Sequence, residues 1–264
     1  MCLVIIAWQV HPDFPLIIAA NRDELHTRPA AAMHWWDDQP GVLAGRDLEA
    51  GGTWLAVSRN GRYAGVTNVR ESGRTRADAR SRGELVSGFV AGTLPVLDYA
   101  RAVDDDSYRG FNMFAGDDSE LLYMSNRGAP AALLAPGIYG ISNALLDTPW
   151  PKLLRARERV RNILESGRAE PGALFDILAD RTPAPEDELP GGLADASLAR
   201  AASAAFIVHP DYGTRCSTAL LRRSDGTMIV AERRFDRAGR PAGESSFRIG
   251  PEAGRSQARS GDGR

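Results

Sequence analysis

Residues 1–24 read MCLVIIAWQVHPDFPLIIAANRDE, and they decide the fold. Two short apolar runs, Leu3–Trp8 and 16–20, flank a polar loop, which predicts a buried β-hairpin. The second run ends in the polar tetrad 21–24, Asn-Arg-Asp-Glu. If the hairpin closes in its polar loop, counting residues places this tetrad opposite Cys2. One end of the hairpin then carries a thiol, a guanidinium and two carboxylates.

Cys2 follows the initiator methionine, which is normally removed when the second residue is small. The mature chain would then begin with a thiol and a free α-amine on one residue. An α-amine titrates near pH ~8 and a thiol near ~8.5, so a modest shift in either pKa prepares them to act as nucleophile and base. The alternative is that Cys2 is only a small buried residue, and that the tetrad is a solvated strand end with a surface ion pair worth at most ~1 kcal/mol.

The composition indicates an ordinary globular protein. The chain has 264 residues, of which 43% are hydrophobic and 25% charged, so we expect one layered domain over residues 1–250. The tail 251–264 has almost no apolar residues and is expected to be disordered. A net charge of −2 gives no reason to expect nucleic acid or an anionic membrane as a partner.

The sequence also limits location and cofactors. No apolar stretch approaches ~18 residues, so neither a signal peptide nor a membrane span is predicted. The two cysteines, Cys2 and Cys216, are too few for a disulfide framework, which favours a reducing, cytoplasmic location. No two of the four histidines have a metal-ligand spacing, so neither a metal nor another cofactor is predicted.

The order of the predicted elements distinguishes between fold classes. About ten strands with hairpin spacing surround two blocks of paired helices, whereas a doubly wound parallel sheet would alternate strands with helices. The pattern predicts an α+β fold of two antiparallel sheets with helices packed outside. Residues 25–40 are expected to form a loop with an aromatic anchor, 181–197 an irregular surface loop, 205–209 a strand, and Ser81 with Glu84 a helix capping box.

Polar residues recur where predicted strands end. Asn68 and Asn143 each follow a strand, while Thr214 and Arg215 precede one. The segment that follows Asn68 is rich in arginine. It is either a solvated loop, the commoner case, or a rim that attracts a phosphate or carboxylate. Its arginines are Arg70, Arg74, Arg76, Arg80 and Arg82.

Several stretches resemble a known family. The matching stretches are MCLVIIAW (1–8), AANRDELHTRPA (19–30), Ala-Gly-Arg-Asp (44–47), GGTWLAVSRNGRYAGVTNVRE (51–71), GISNALLDTPWPK (140–152) and GTRCSTALL (213–221). On these stretches the chain resembles the family named for its Asn-Arg-Asp-Glu motif, the Transport and Golgi organisation protein 2-like family, within the N-terminal-nucleophile hydrolases. This resemblance implies a four-layer αββα sandwich whose nucleophile is an amino-terminal cysteine.

The resemblance also implies catalytic roles by position. Cys2 would attack a carbonyl, with its own α-amine relaying the proton. Asn68 would donate to the oxyanion, and Asn143 would orient the amine or substrate. Arg215 would keep the surroundings of the nucleophile positive, and Asp23 would hydrogen-bond the ammonium or thiol.

Arg22 would lower the pKa of the thiol, but its spacing departs from the bile-salt hydrolase branch, where two residues separate the arginine from the aspartate. Here Arg22 and Asp23 are adjacent, so in a regular strand Asn21 and Asp23 face one way, Arg22 and Glu24 the other. Arg22 and Asp23 both reach Cys2 only if the strand bulges. The side chains expected to contact substrate are Asn21, Trp54, Arg70 and Arg74.

Two functions follow from this resemblance. The first is an amidase-type hydrolase that cuts a non-peptide C–N bond through an acyl-thioester on Cys2. The second is a binding or chaperone protein that uses the same pocket to hold an amphipathic anion such as haem or an acyl-CoA. In both cases the partner is a small molecule, and the two functions differ in whether Cys2 reacts.

Overall fold

The first hairpin forms the centre of the fold, and its register determines where Cys2 lies. A computed structural model describes residues 2–71, 78–189 and 195–251. Strands β1 (Leu3–Trp8) and β2 (Leu16–Leu25) pair antiparallel, with Leu3 opposite Asn21. One residue further along, Cys2 lies beside Arg22. The predicted juxtaposition of the cysteine and the polar tetrad is therefore present.

Two antiparallel sheets are built around this hairpin. In the first sheet the strand order is β10-β1-β2-β11-β12-β13, with β10 Gly137–Ile141, β11 Tyr212–Arg222, β12 Met228–Phe235 and β13 Pro241–Ile249. In the second it is β3 to β9 in chain order, with β3 Ala30–Trp35, β4 Val42–Asp47, β5 Leu55–Ser58, β6 Tyr63–Asn68, β7 Phe111–Gly116, β8 Leu121–Ser125 and β9 Ala132–Leu133.

Alternation along each strand divides the apolar side chains among three cores. On β2, Leu16 and Ile18 point between the sheets, whereas Ile17 and Ala19 point outward to the helices packed on the first sheet. A third core lies between the second sheet and its own helices. The helices are α1 Gly83–Ala91 and α2 Val96–Ala102 on the second sheet, α3 Pro151–Glu165 and α4 Pro171–Leu178 on the first, and α5 Ala196–Ala202. The predicted four-layer α+β sandwich is confirmed.

Two predicted elements were wrong. The region 25–40, expected to be a loop, contains β3, whose register shifts between Ala31 and His34, so the bulge breaks the alternation that would have revealed a strand. Residues 205–209, expected to form a strand, are buried through 207 but bond elsewhere: the Phe206 amide donates to the Asp180 carbonyl at 2.8 Å.

The predicted capping box is also absent. Helix α1 begins at Gly83, with Arg82 at its N-cap and no side-chain cap hydrogen bond. The Glu84 carboxylate instead lies 2.6 Å from Arg80 Nε in an ion pair. The irregular segment 181–197 is interrupted by the start of α5.

Two further predictions concern the C-terminal tail and a membrane span. Residues 252–264 of the predicted disordered tail lie outside the described residues. Within the described part of the chain, no helix combines the length and the apolar character that a bilayer crossing requires.

Candidate functional site

Cys2 lies at the start of β1 and borders a cavity of about 360 Å³ between the ends of the two sheets. The backbone of Asp23 makes a hydrogen bond with its thiol. The Ser142 hydroxyl donates to the Cys2 carbonyl at 2.7 Å. Burial raises the pKa of the Cys2 thiol, and the nearby Asp23 carboxylate acts in the same direction. The thiol therefore needs a positive charge nearby to become a thiolate.

Asp23 occupies the outward face of β2 and is only 3% exposed. Its Oδ1 accepts a hydrogen bond from Thr214 Oγ1 at 2.6 Å, and its carbonyl accepts one from the Tyr212 hydroxyl at 2.6 Å. Burial raises the pKa of the Asp23 carboxyl, while Lys152 and Thr214 oppose this shift. Two partners on β11 therefore hold Asp23: Thr214 bonds to its side chain and Tyr212 to its backbone.

Lys152 is a site residue that sequence reasoning missed. It lies in the first turn of α3, is 4% exposed, and donates from Nζ to the Ala202 carbonyl at 2.9 Å. Burial lowers the pKa of its ammonium, whereas Asp23 and Cys2 act to raise it. A signal existed in the sequence: of 32 Lys and Arg residues, Lys152 is the only lysine.

Asn68 and Asn143 lie where the second sheet meets the first. Asn68 borders the 360 Å³ cavity together with Cys2. Asn143 Nδ2 donates to the Asn68 carbonyl at 2.8 Å, while Asn143 Oδ1 is buried and accepts no hydrogen bond from the residues that the structure describes. The two asparagines are thus linked, and Asn68 borders the same cavity as Cys2.

Asn143 borders a second, much smaller cavity of about 20 Å³. Arg70 and Lys152 line the same space, so Arg70 borders the smaller cavity and not the larger one. A space of this size holds about one water molecule. Arg74, the other arginine expected to contact substrate, lies outside the described residues.

Arg22 faces the space between the sheets. Its guanidinium carbon lies 4.2 Å from the ring centroid of Trp54, and its Nη2 is 3.9 Å from Asp47 Oδ2. Arg22 and Trp54 both border the larger cavity. Arg22 therefore contacts the second sheet, whereas the side chain of Asp23 bonds to β11 within the first sheet.

Asn21, expected to contact substrate, is instead used within the fold. Its Nδ2 donates to the carbonyls of Leu178 and Ala205 at 2.9 and 2.8 Å, and its Oδ1 accepts from Ser217 Oγ at 2.6 Å. These bonds hold β2 to the end of α4 and to the segment that follows α5. Asn21 is not among the described residues that line the larger cavity.

Arg215 lies at a bulge, but in β11 rather than in β2. The register of β11 against β2 shifts between Thr214 and Cys216. Arg215 Nη1 donates to the carbonyls of Leu25 and Arg28 at 2.9 and 3.2 Å. Arg215 is not among the described residues that border the larger cavity. Its guanidinium, expected to add positive charge near Cys2, instead holds the backbone at Leu25 and Arg28.

The wall of the larger cavity is strongly charged. Burial lowers the pKa of Arg82, and the neighbouring Arg109 adds to the effect. Two adjacent guanidinium groups favour a bound anion. The charged residues of the wall are Arg22, Arg28, Arg80, Arg82 and Arg109, with Asp23, Glu24, Asp47 and Glu49. No group of three potential metal ligands occurs among residues 2–71, 78–189 and 195–251.

Cys216 is buried in the core beside Glu232, and burial raises the pKa of its thiol well above the ordinary value. The neighbouring Glu232 carboxylate adds to this effect. Cys216 is therefore expected to be far less reactive than a cysteine that borders the cavity.

Comparison with known proteins identifies the family. Residues 1–237 match the family described as Transport and Golgi organisation 2. The chain belongs to this family. The Transport and Golgi organization protein 2 homologs of Bos taurus and Homo sapiens are 37% and 35% identical to it, over 88% of this chain and 92% of each relative. The Drosophila melanogaster member is 25% identical over 88% of this chain and 91% of its own length.

Solved structures show which fold this member of the Transport and Golgi organisation 2 family shares. Penicillin V acylase from Agrobacterium tumefaciens matches with a TM-score of 0.52 at 11% identity, covering 95% of this chain and 86% of that one. The C2A mutant of conjugated bile acid hydrolase from Clostridium perfringens matches with a TM-score of 0.54 at 7% identity, covering 94% and 92%. The fold is that of N-terminal-nucleophile hydrolases.

Proposed function

We propose that this chain is an N-terminal cysteine hydrolase that cleaves a non-peptide amide bond through an acyl-thioester on Cys2. The observation that carries the proposal is the setting of Cys2, which borders a cavity with Asp23 and Asn68 while its thiol bonds to the Asp23 backbone. The fold shared with two acylamide hydrolases supports this reaction class. A reducing, cytoplasmic location would keep Cys2 a free thiol.

The first half of the reaction transfers an acyl group to sulfur. Once Met1 is removed, the α-amine of Cys2 accepts the thiol proton, and the sulfur attacks the amide carbonyl carbon. The side-chain amide of Asn68 donates to the developing oxyanion, an interaction worth about 3 kcal/mol in acyl-transfer enzymes. The C–N bond then breaks, and the leaving amine takes the proton from the α-ammonium.

The second half returns the enzyme to its starting state. A water molecule gives a proton to the α-amine and attacks the thioester carbonyl. The C–S bond breaks, the carboxylic acid leaves, and the proton returns to sulfur. Asn143 has a supporting role in both halves, because its bond to the Asn68 carbonyl fixes the chain that carries the oxyanion donor.

The proposal is tested by trapping the acyl-enzyme. We expect intact mass to show a chain that begins at Cys2, and brief incubation with an activated acyl ester to add one acyl group to it. Substitution C2A should abolish this adduct, whereas the matched control C216A should retain it because Cys216 is buried in the core. Penicillin V and a conjugated bile acid serve as first amide substrates, with amine release as the readout.

Three results would oppose the proposal. A chain that keeps Met1 lacks the amine base. An acyl adduct that persists in C2A places the nucleophile elsewhere. A Cys2 that reacts with iodoacetamide no faster than Cys216 is not activated.

The arginines of the cavity wall favour a second function, binding of an amphipathic anion such as haem or an acyl-CoA. Arg82 and Arg109 concentrate positive charge beside the apolar surface of Trp54. Such a carrier needs the arginines but not the thiol. C2A should then keep its affinity for haem or acyl-CoA, and Arg82→Met should weaken it in a salt-dependent manner. Loss of binding in C2A would argue against an electrostatic carrier.

A further inference from the structure

The lysine of the site has an unusual position. Lys152 is buried in the first turn of α3, where the positive end of the helix dipole disfavours a cation. Burial disfavours its charge as well. A buried cation at such a position is retained only where an anionic partner compensates it. Asp23 and Cys2 are the two acidic groups that act on it.

The choice of lysine is informative because the chain otherwise uses arginine for every basic residue. A guanidinium keeps its charge at any physiological pH and presents five donors, which a closed space cannot satisfy. A lysine ammonium is compact, and its pKa responds to its neighbours. Lys152 lines the cavity of about 20 Å³ and is itself buried.

Contacts connect Lys152 to the nucleophile from two directions. On one side, Lys152 and Asn143 line the same small cavity, and the preceding residue, Ser142, bonds to the Cys2 carbonyl. On the other, Asp23 interacts with both residues: the charge of Lys152 opposes the upward shift that burial gives the pKa of the Asp23 carboxyl, and the Asp23 backbone bonds to the thiol of Cys2.

We propose that Lys152 is a positioning residue for the proposed reaction, on which this inference rests: its ammonium offsets the Asp23 carboxylate, so that the α-amine of Cys2 is neutral before the attack and the thiolate is stabilised when the thiol proton passes to that amine. A nearby cation favours thiolate over thiol and free amine over ammonium. Without that charge, Asp23 would favour the opposite forms, in which Cys2 holds both protons. Arg22 does not offset the charge of Asp23, because its guanidinium stacks on Trp54 and pairs with Asp47.

Other charged groups face the same two residues and must be considered with them. They all lie on elements packed around the end of the hairpin. Glu24 on β2, Arg22 beside it and Arg82 before α1 line the larger cavity with Cys2. Arg70 after β6 and Glu188 before α5 line the smaller cavity with Lys152.

The first test measures thiol reactivity, which needs no amide turnover. In a Cys216→Ala background, Lys152→Met keeps the side-chain volume and removes the charge. We expect iodoacetamide to alkylate Cys2 about tenfold more slowly at pH 7, and the pH midpoint of alkylation to move upward. The matched control is Arg70→Met, which removes the other cation of the small cavity and should change the rate less than threefold.

The second test uses the native chain and covers the case in which Lys152→Met does not fold. Protein grown with ¹⁵N-labelled lysine gives a single side-chain resonance, because Lys152 is the only lysine. We expect this ammonium to titrate below the ordinary lysine value of 10.5 and to shift when Cys2 is alkylated. Observation of both effects supports the proposal even without the variant.

Three results would overturn the inference. They are a folded Lys152→Met whose alkylation rate stays within threefold of the parent, an Arg70→Met effect as large as that of Lys152→Met, and a Lys152 resonance that titrates normally and ignores Cys2. The proposed function can fail separately: altered thiol reactivity in Lys152→Met with no acyl-enzyme from any amide would leave the charge relation intact and reject the hydrolase.

Discussion

The two faces of strand β2 at Asn21–Glu24 differ in how their polar groups are used. On the outward face, the side chains of Asn21 and Asp23 accept or donate short hydrogen bonds of 2.6–2.9 Å to buried partners. On the inward face, Arg22 stacks on Trp54 and lies 3.9 Å from its carboxylate partner. Of the two outward residues, Asn21 is enclosed by protein and Asp23 borders the cavity, whereas both inward residues, Arg22 and Glu24, border it.

Within one tetrapeptide, some side chains therefore stabilise the fold and others can contact a ligand. The side-chain amide of Asn21 donates two hydrogen bonds and accepts one within the protein, and the residue is buried, so it does not contact a substrate. Arg22 borders open space and can contact a ligand directly. Asp23 belongs to both categories, because its side chain is fixed by Thr214 while its backbone reaches the thiol. The predictions below test this division in order of effect.

The largest effect is expected for Asn21→Leu. Leucine has nearly the same shape but cannot bond to the Leu178 and Ala205 carbonyls or to the Ser217 hydroxyl, which are buried. Unsatisfied buried polar groups should lower the free energy of unfolding by about 4 kcal/mol in total. Urea denaturation followed by fluorescence measures this loss. A loss below ~1 kcal/mol would mean that the outward face is not a structural anchor.

The next effect is expected for Asp23→Asn, and it depends on pH. The variant leaves Lys152 buried without its carboxylate partner, which should destabilise the fold by about 3 kcal/mol at neutral pH. Burial already lowers the pKa of Lys152, and losing Asp23 lowers it further. Between that lowered pKa and 10.5 the unfolded chain binds a proton that the folded chain does not, so the stability of the variant rises with pH.

Urea titrations of Asp23→Asn from pH 7 to 10 should therefore show the deficit shrinking as the solution becomes more alkaline. The double variant Asp23→Asn with Lys152→Met provides the control, because it has no unpaired charge and should lose the dependence. A deficit that is constant with pH would indicate that the two side chains do not form a pair.

The smallest effect on stability is expected for Arg22→Met. The variant loses a cation–π contact and a long ion pair, together worth about 1–2 kcal/mol. Asp47 is not left unpaired, because Arg28 Nε lies 2.7 Å from the same carboxylate oxygen. Cys2 alkylation should slow less than in Lys152→Met. A larger slowing in Arg22→Met would assign the activating charge to the inward face instead.

Local patterns in the sequence were sufficient for the central hairpin and the layer order. Two apolar runs joined by a polar loop place Cys2 beside the tetrad, and strand and helix spacing gives two antiparallel sheets with outer helices. The same reasoning failed at β3, because a bulge between Ala31 and His34 interrupts the alternation. It failed at 205–209 because burial there reflects bonds to Asp180 and Thr214 rather than strand pairing.

Side-chain direction was harder to predict than side-chain position. Arg215 lies next to a site strand, yet a bulge in β11 turns its guanidinium to the carbonyls of Leu25 and Arg28. Lys152 lies far from Cys2 in the sequence, and no local pattern indicates that α3 brings it to Asp23. Its singularity among the basic residues was the one visible signal, and it concerns composition rather than spacing.

Because Lys152 is the only lysine, local opening of the chain at the start of α3 can be measured directly. An endoprotease that cuts only after lysine can cleave this chain at one bond, between Lys152 and Leu153, and both residues are buried. Cleavage then requires the beginning of α3 to detach, which is a local opening with its own free energy. The rate at which the chain splits into two fragments would report how often the beginning of α3 detaches, without any label or substrate.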